Sequence, residues 1–131
     1  MTAARMQVQQ IMRRDFVCAE PEESLEAACQ TMRLARLRHL LVTRGDALVG
    51  ILSYRDLLER PKGFDWVGAR IGDAMRPEPL CVVALDTPLG EAADRMCRYG
   101  YGCLPVVNGG QLVGLVTETD LLRAAYGLRP S

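Results

Sequence analysis

Apolar positions recur at helical spacing twice along the chain. Leu25, Ala28, Cys29 and Met32 mark one amphipathic helix, and Leu89, Ala92, Ala93 and Met96 mark a second. Ser24 stands before the first as an N-cap. Thr87 is the matching cap of the second, with Pro88 at the first helical position, where its missing N–H is harmless. A short strand precedes each helix, at Phe16–Ala19 and Leu80–Val83. Two strands follow each helix, joined at Arg44-Gly45-Asp46 and at Asn108-Gly109-Gly110, both hairpin turns. Each strand pair ends at a hydroxyl residue, Ser53 or Thr117, where another helix begins. The order β-α-β-β-α, met twice, predicts an α+β chain in two layers. Pro105 inside a strand predicts an edge position or one lost ladder bond.

The pattern repeats because the sequence does. A shift of 64 residues lays Ser24-Leu25-Glu26-Ala27-Ala28 on Pro88-Leu89-Gly90-Glu91-Ala92, and Leu48-Val49-Gly50-Ile51-Leu52-Ser53 on Leu112-Val113-Gly114-Leu115-Val116-Thr117. At a shift of 63, Ile11-Met12 falls on Ala74-Met75 and Cys18 on Cys81. The first copy spans 8–59, the connector 60–70 and the second copy 71–125. Copies of this size bury too little surface to fold alone, so the two are expected to pack on each other. Phe64-Asp65-Trp66-Val67 in the connector is read as an apolar clip, or alternatively as an interface anchor. The tail 127–131 ends the last helix and is expected to be disordered.

Composition narrows the function classes. The longest apolar runs in the 131 residues are about five residues, and a membrane-spanning helix needs about 20. No apolar leader follows Met1, so membrane insertion is not expected and a cytoplasmic location is. Sixteen basic and sixteen acidic residues cancel, which argues against bulk binding to nucleic acid. The five cysteines form no Cys-x-x-Cys pair and His39 is the only histidine, so no metal site is expected. The thiols are expected to be reduced and mostly buried as small hydrophobes. With one histidine, no paired catalytic carboxylates and no nucleophile motif, the chain is not expected to be an enzyme.

The chemistry-bearing feature is the strand-to-helix corner Gly50-Ile51-Leu52-Ser53-Tyr54-Arg55-Asp56 and its twin Gly114-Leu115-Val116-Thr117-Glu118-Thr119-Asp120. A hydroxyl beside free N–H groups at a helix start suits a phosphate. A carboxylate one turn later accepts two hydrogen bonds from adjacent hydroxyls, as on a ribose. The same Ser/Thr-x-x-Asp spacing is also close to a capping box, a purely structural device. Both readings stand on the residues alone.

These corners, with Leu104-Pro105-Val106-Val107-Asn108 and with Ile11-Met12 and Ala74-Met75 opening the copies, resemble a tandem CBS-domain pair, a Bateman module, over about residues 8–125. The resemblance implies two β-α-β-β-α repeats packed about a pseudo-twofold axis, with a regulatory ligand and no catalysis. That ligand would be AMP, ADP, ATP or S-adenosylmethionine, bound in the cleft between the repeats. Carried over by motif, Asp56 and Asp120 bind ribose hydroxyls, and Ser53 and Thr117 bind phosphate. The resemblance also implies backbone contacts to the base from the first strand of the opposite copy: Leu80 and Cys81 toward Asp56, and Phe16 and Val17 toward Asp120. It further implies a homodimer and a regulated enzyme or transporter in trans. A structural or interaction subunit without a nucleotide is the alternative.

The copies depart from each other at the strand before the corner. The family's proline is Leu41 in the first copy, so that strand is expected to be more regular and the Asp56 site reshaped. The first copy carries Arg36, Arg38 and His39 where the second carries Gly100, Gly102 and Cys103. Cationic donors suit phosphate oxygens. The Asp56 site is therefore expected to prefer more phosphates, and the Asp120 site a less charged ligand or none.

Overall fold

The computed structural model describes residues 2–77 and 80–128. The last three residues of the tail, 129–131, lie outside them. The chain divides into two compact units: one continuous, Val17–Leu80, and one split, Met1–Phe16 with Cys81–Ser131.

The continuous unit runs β1 (Cys18–Ala19), α1 (Leu25–Ala35), β2 (His39–Arg44), β3 (Ala47–Ser53), α2 (Tyr54–Leu58), α3 (Ile71–Ala74) and β4 (Arg76–Pro77). Its sheet has the order β1-β2-β3-β4, with β1 parallel to β2 and the other pairs antiparallel. Alternation along β2 and β3 sends Leu40, Val42 and Leu52 into a core with Leu25, Met32 and Ile71. Ser24 caps α1, its Oγ accepting from Ala27 N–H at 3.2 Å. Pro61 follows α2 closely, and the residue before a proline is poorly suited to a helix, which keeps α2 short.

The split unit runs from 3-10 turns at Ala3–Arg5 and Val8–Gln10 to α4 (Leu89–Tyr99), β5 (Cys103–Asn108), β6 (Gln111–Thr117) and α5 (Glu118–Ala125). Val8 and Met12 of the opening segment are buried with Leu89, Met96, Leu104, Val106 and Val116. Val8 N–H donates to the Thr87 carbonyl at 2.8 Å, and Leu89 N–H to the Met6 carbonyl at 2.7 Å. Gly127, at φ +66°, ends α5.

The compact units are out of phase with the sequence repeat. The segment that opens the first copy completes the core of the second, and residues after the first hairpin return to complete the first. Connector residues belong to the continuous unit: Ala69 is buried, and its carbonyl accepts from Leu25 N–H at 3.0 Å. Phe64 packs on that core, while Trp66 stands edge-on to it, 5.0 Å between ring centroids.

Four local expectations need correction. The first strand of the second copy shrinks to one parallel bridge, Val83 to Val106. Leu41 N–H donates to the Val17 carbonyl at 3.3 Å, and Pro105, at the matching place, has no N–H to donate. Leu41 leaves the hairpin itself unchanged, because both hairpins keep the same register and the same bulge. Thr87 does not cap α4: its Oγ1 accepts from Ala84 N–H at 2.9 Å, and Pro88 takes the cap position. Of the five cysteines only Cys103 is buried; Cys18 and Cys97 are exposed.

Candidate functional site

In the continuous unit the corner is set by the strand pair beneath it. His39 lies opposite Ser53 across β2 and β3, and Tyr54 N–H donates to the Arg38 carbonyl at 2.8 Å. Arg38, His39 and Ser53 are thereby brought together at the start of α2. Ser53 Oγ accepts from Asp56 N–H at 3.0 Å. The reciprocal bond, from Ser53 N–H to the Asp56 carboxylate, is not formed among the described residues. The Asp56 side chain is 18% exposed and meets Arg76 Nη2 at 3.8 Å, a loose ion pair. Arg76 reaches it because β4 lies against β3 at Gly50 and Ile51. A Cβ at Gly50 would stand 3.0 Å from the Arg76 carbonyl and collide with the Met75 side chain.

The split unit repeats this plan with tighter contacts. Cys103 lies opposite Thr117, and Glu118 N–H donates to the Gly102 carbonyl at 3.1 Å. Arg13 exchanges backbone bonds with Leu115, at 2.8 and 2.9 Å. A Cβ at Gly114 would lie 2.6 Å from Met12 Sδ and 3.1 Å from the Arg13 carbonyl. Here the capping box closes: Asp120 N–H donates to Thr117 Oγ1 at 3.2 Å, and Thr117 N–H donates to Asp120 Oδ2 at 2.9 Å. Arg13 Nε donates to Oδ1 at 3.0 Å and Oδ2 at 3.2 Å, and Nη2 stands 3.0 Å from Oδ1. The Asp120 side chain is 6% exposed.

The motif therefore names both a cap and a carboxylate site, and each unit weights the two differently. Arg13 and Arg76 are the residues that sequence reasoning missed. Their signal was available, since the shift that lays Ile11-Met12 on Ala74-Met75 also lays Arg13 on Arg76. Of the residues assigned to the base, Leu80 shares the continuous unit with Asp56, and Phe16 shares the split unit with Asp120. Val17 belongs to the continuous unit and Cys81 to the split one. Val17 lines a cavity of about 230 Å³ with Cys18, Ser24, Ala27, Leu40 and Ile71. Burial pushes the Cys18 thiol up, against a bond with Thr43 that pulls it down, so it stays protonated at neutral pH.

The CBS domain family profile matches residues 8–63 and 71–127. The chain belongs to the CBS-domain family. It is a tandem CBS pair, the arrangement of regulatory modules. Among its relatives is inosine-5'-monophosphate dehydrogenase of Korarchaeum cryptofilum (strain OPF8), 38% identical over 109 residues, 82% of this chain and 22% of that protein. Hypoxic response protein 1 of Mycobacterium tuberculosis is 31% identical over 126 residues, 94% of this chain and 85% of that protein. The crystal structure of CBSX2 in complex with AMP has a TM-score of 0.82 at 28% identity, covering 92% of this chain and 96% of that one. The CBS pair spans less than half the length of the first of these curated relatives. Among the described residues, no group of three His, Cys, Asp or Glu could hold a metal ion. No helix among them is long and apolar enough to cross a membrane.

Proposed function

We propose that this CBS pair is a regulatory sensor, without catalysis of its own, that binds an adenosine nucleotide through the Asp56 corner and signals to an enzyme or transporter in trans. The observation that carries it is the Asp56 carboxylate. It is partly open, and its contact with Arg76 is loose at 3.8 Å, so it can accept both hydroxyls of a ribose. Ser53 caps the same helical turn, the backbone brings Arg38 and His39 beside Ser53, and cations are the natural partners of phosphate oxygens. The corner of the second copy offers Gly102 and Cys103 instead. The likeness to the AMP complex of CBSX2 supports the ligand class. Leu58, Leu122 and Tyr126 leave apolar surface on the last helix of each copy, which supports a homodimer across a twofold, the commonest homo-oligomeric symmetry.

Titration calorimetry with AMP, ADP, ATP and S-adenosylmethionine tests this, on protein whose mass is first read by light scattering. A ligand from this set should bind, and Asp56→Ala should weaken it about tenfold to a hundredfold, the worth of a charge-assisted hydrogen bond of about 1.5–3 kcal/mol. Absence of binding by the wild type at millimolar ligand rejects the nucleotide. A single-chain mass at every concentration rejects the dimer.

A further inference from the structure

The two corners share a motif, yet their carboxylates stand in different states. Asp120 already faces three N–H groups: Arg13 Nη2 on Oδ1, Thr117 N–H on Oδ2, and Arg13 Nε shared between the two oxygens. A carboxylate offers about four lone-pair sites, so Asp120 has at most one left, and a diol brings two hydroxyls. Asp56 lacks the bond from Ser53 N–H and has Arg76 only at 3.8 Å. The two arginines are counterparts, and their difference is one of hold. Arg13 grips a side chain that is 6% exposed, while Arg76, itself 46% exposed, stands off one that is 18% exposed. A diol must displace a charge-assisted fork at Asp120, and among the described residues only a distant contact at Asp56.

We infer that Arg13 is a specificity-determining latch, which holds Asp120 closed to ribose hydroxyls and confines the pair to one nucleotide per chain, at Asp56. This rests on the nucleotide reading proposed above. It assigns the loss of the second site to one side chain contributed by the opening segment. The difference between Gly102-Cys103 and Arg38-His39 tunes which ligand is preferred; the latch decides whether the second carboxylate is available at all.

Calorimetry with AMP reads the stoichiometry, with circular dichroism confirming that each variant is folded. Wild type should bind one AMP per chain, and Arg13→Ala two. The double variant Arg13→Ala/Asp120→Ala should return to one. Arg13→Gln keeps a polar side chain over the buried carboxylate but loses the charged fork, and should gain the second site even if Arg13→Ala does not fold. The latch is overturned if wild type binds two AMP per chain, if folded Arg13 variants stay at one, or if the added site survives loss of Asp120. In each of those cases the nucleotide reading stands. If neither wild type nor any variant binds AMP or the other adenosine ligands, that reading falls and the latch with it.

Discussion

At the scale of single residues, two glycines do the most to position the corners. Gly50 and Gly114 have ordinary backbone angles and are there for space: each lets a methionine and the carbonyl of the following arginine lie against the strand. Gly114→Ala is expected to push Met12 and the Arg13 backbone outward, costing about 1–3 kcal/mol, as overpacking usually does. Thermal unfolding should show a midpoint lower by several degrees; an unchanged midpoint would mean that Met12 moves aside freely. The corner hydroxyls and carboxylates were legible because their chemistry lies within four consecutive residues. The repeat marks Arg13 and Arg76 as counterparts, but that Arg13 grips Asp120 was not legible, because the two lie 107 positions apart and local spacing carries no information at that range. Whether the motif acts as cap or as binding carboxylate was undecidable for the same reason. That depends on a distant guanidinium and on its reach.

At the scale of elements, helical periodicity and the capping residues located both long helices and the start of each to within a residue. What it missed are pieces fixed by tertiary contacts, such as the single turn α3 and the reduction of one strand to the Val83 bridge. The ends of the two long helices differ in a telling way. α4 stops on Gly100 at φ +69°, and α1 stops on Arg36 at φ +55°, both left-handed. A Cβ there is strained by about 1–2 kcal/mol, and glycine relieves that while losing some backbone entropy on folding. Arg36→Gly should therefore stabilise the protein by about 0.5–1 kcal/mol, read as a midpoint a few degrees higher. A fall would show that the Arg36 side chain makes a contact worth more than the strain.

At the scale of the whole molecule, the repeat and the compact unit are different things. The two copies are consecutive in sequence, but the split unit is closed by the first sixteen residues and by the chain from Cys81 onward. Deleting residues 2–16 removes Val8 and Met12 from one core and nothing from the other. Hydrogen exchange on that variant should show lost protection at Val106 and Val116, with Leu40, Val42 and Leu52 still protected; equal protection in both units would refute the division. The same division sets an order on the ribosome. The continuous unit has all its residues once Leu80 has emerged, while Val8, Ile11 and Met12 emerge before that unit and find their partners on β5 and β6 only after it. Early emergence and late burial leave a short apolar segment uncovered while the whole continuous unit is made. Such a segment needs shielding until β5 and β6 follow it out.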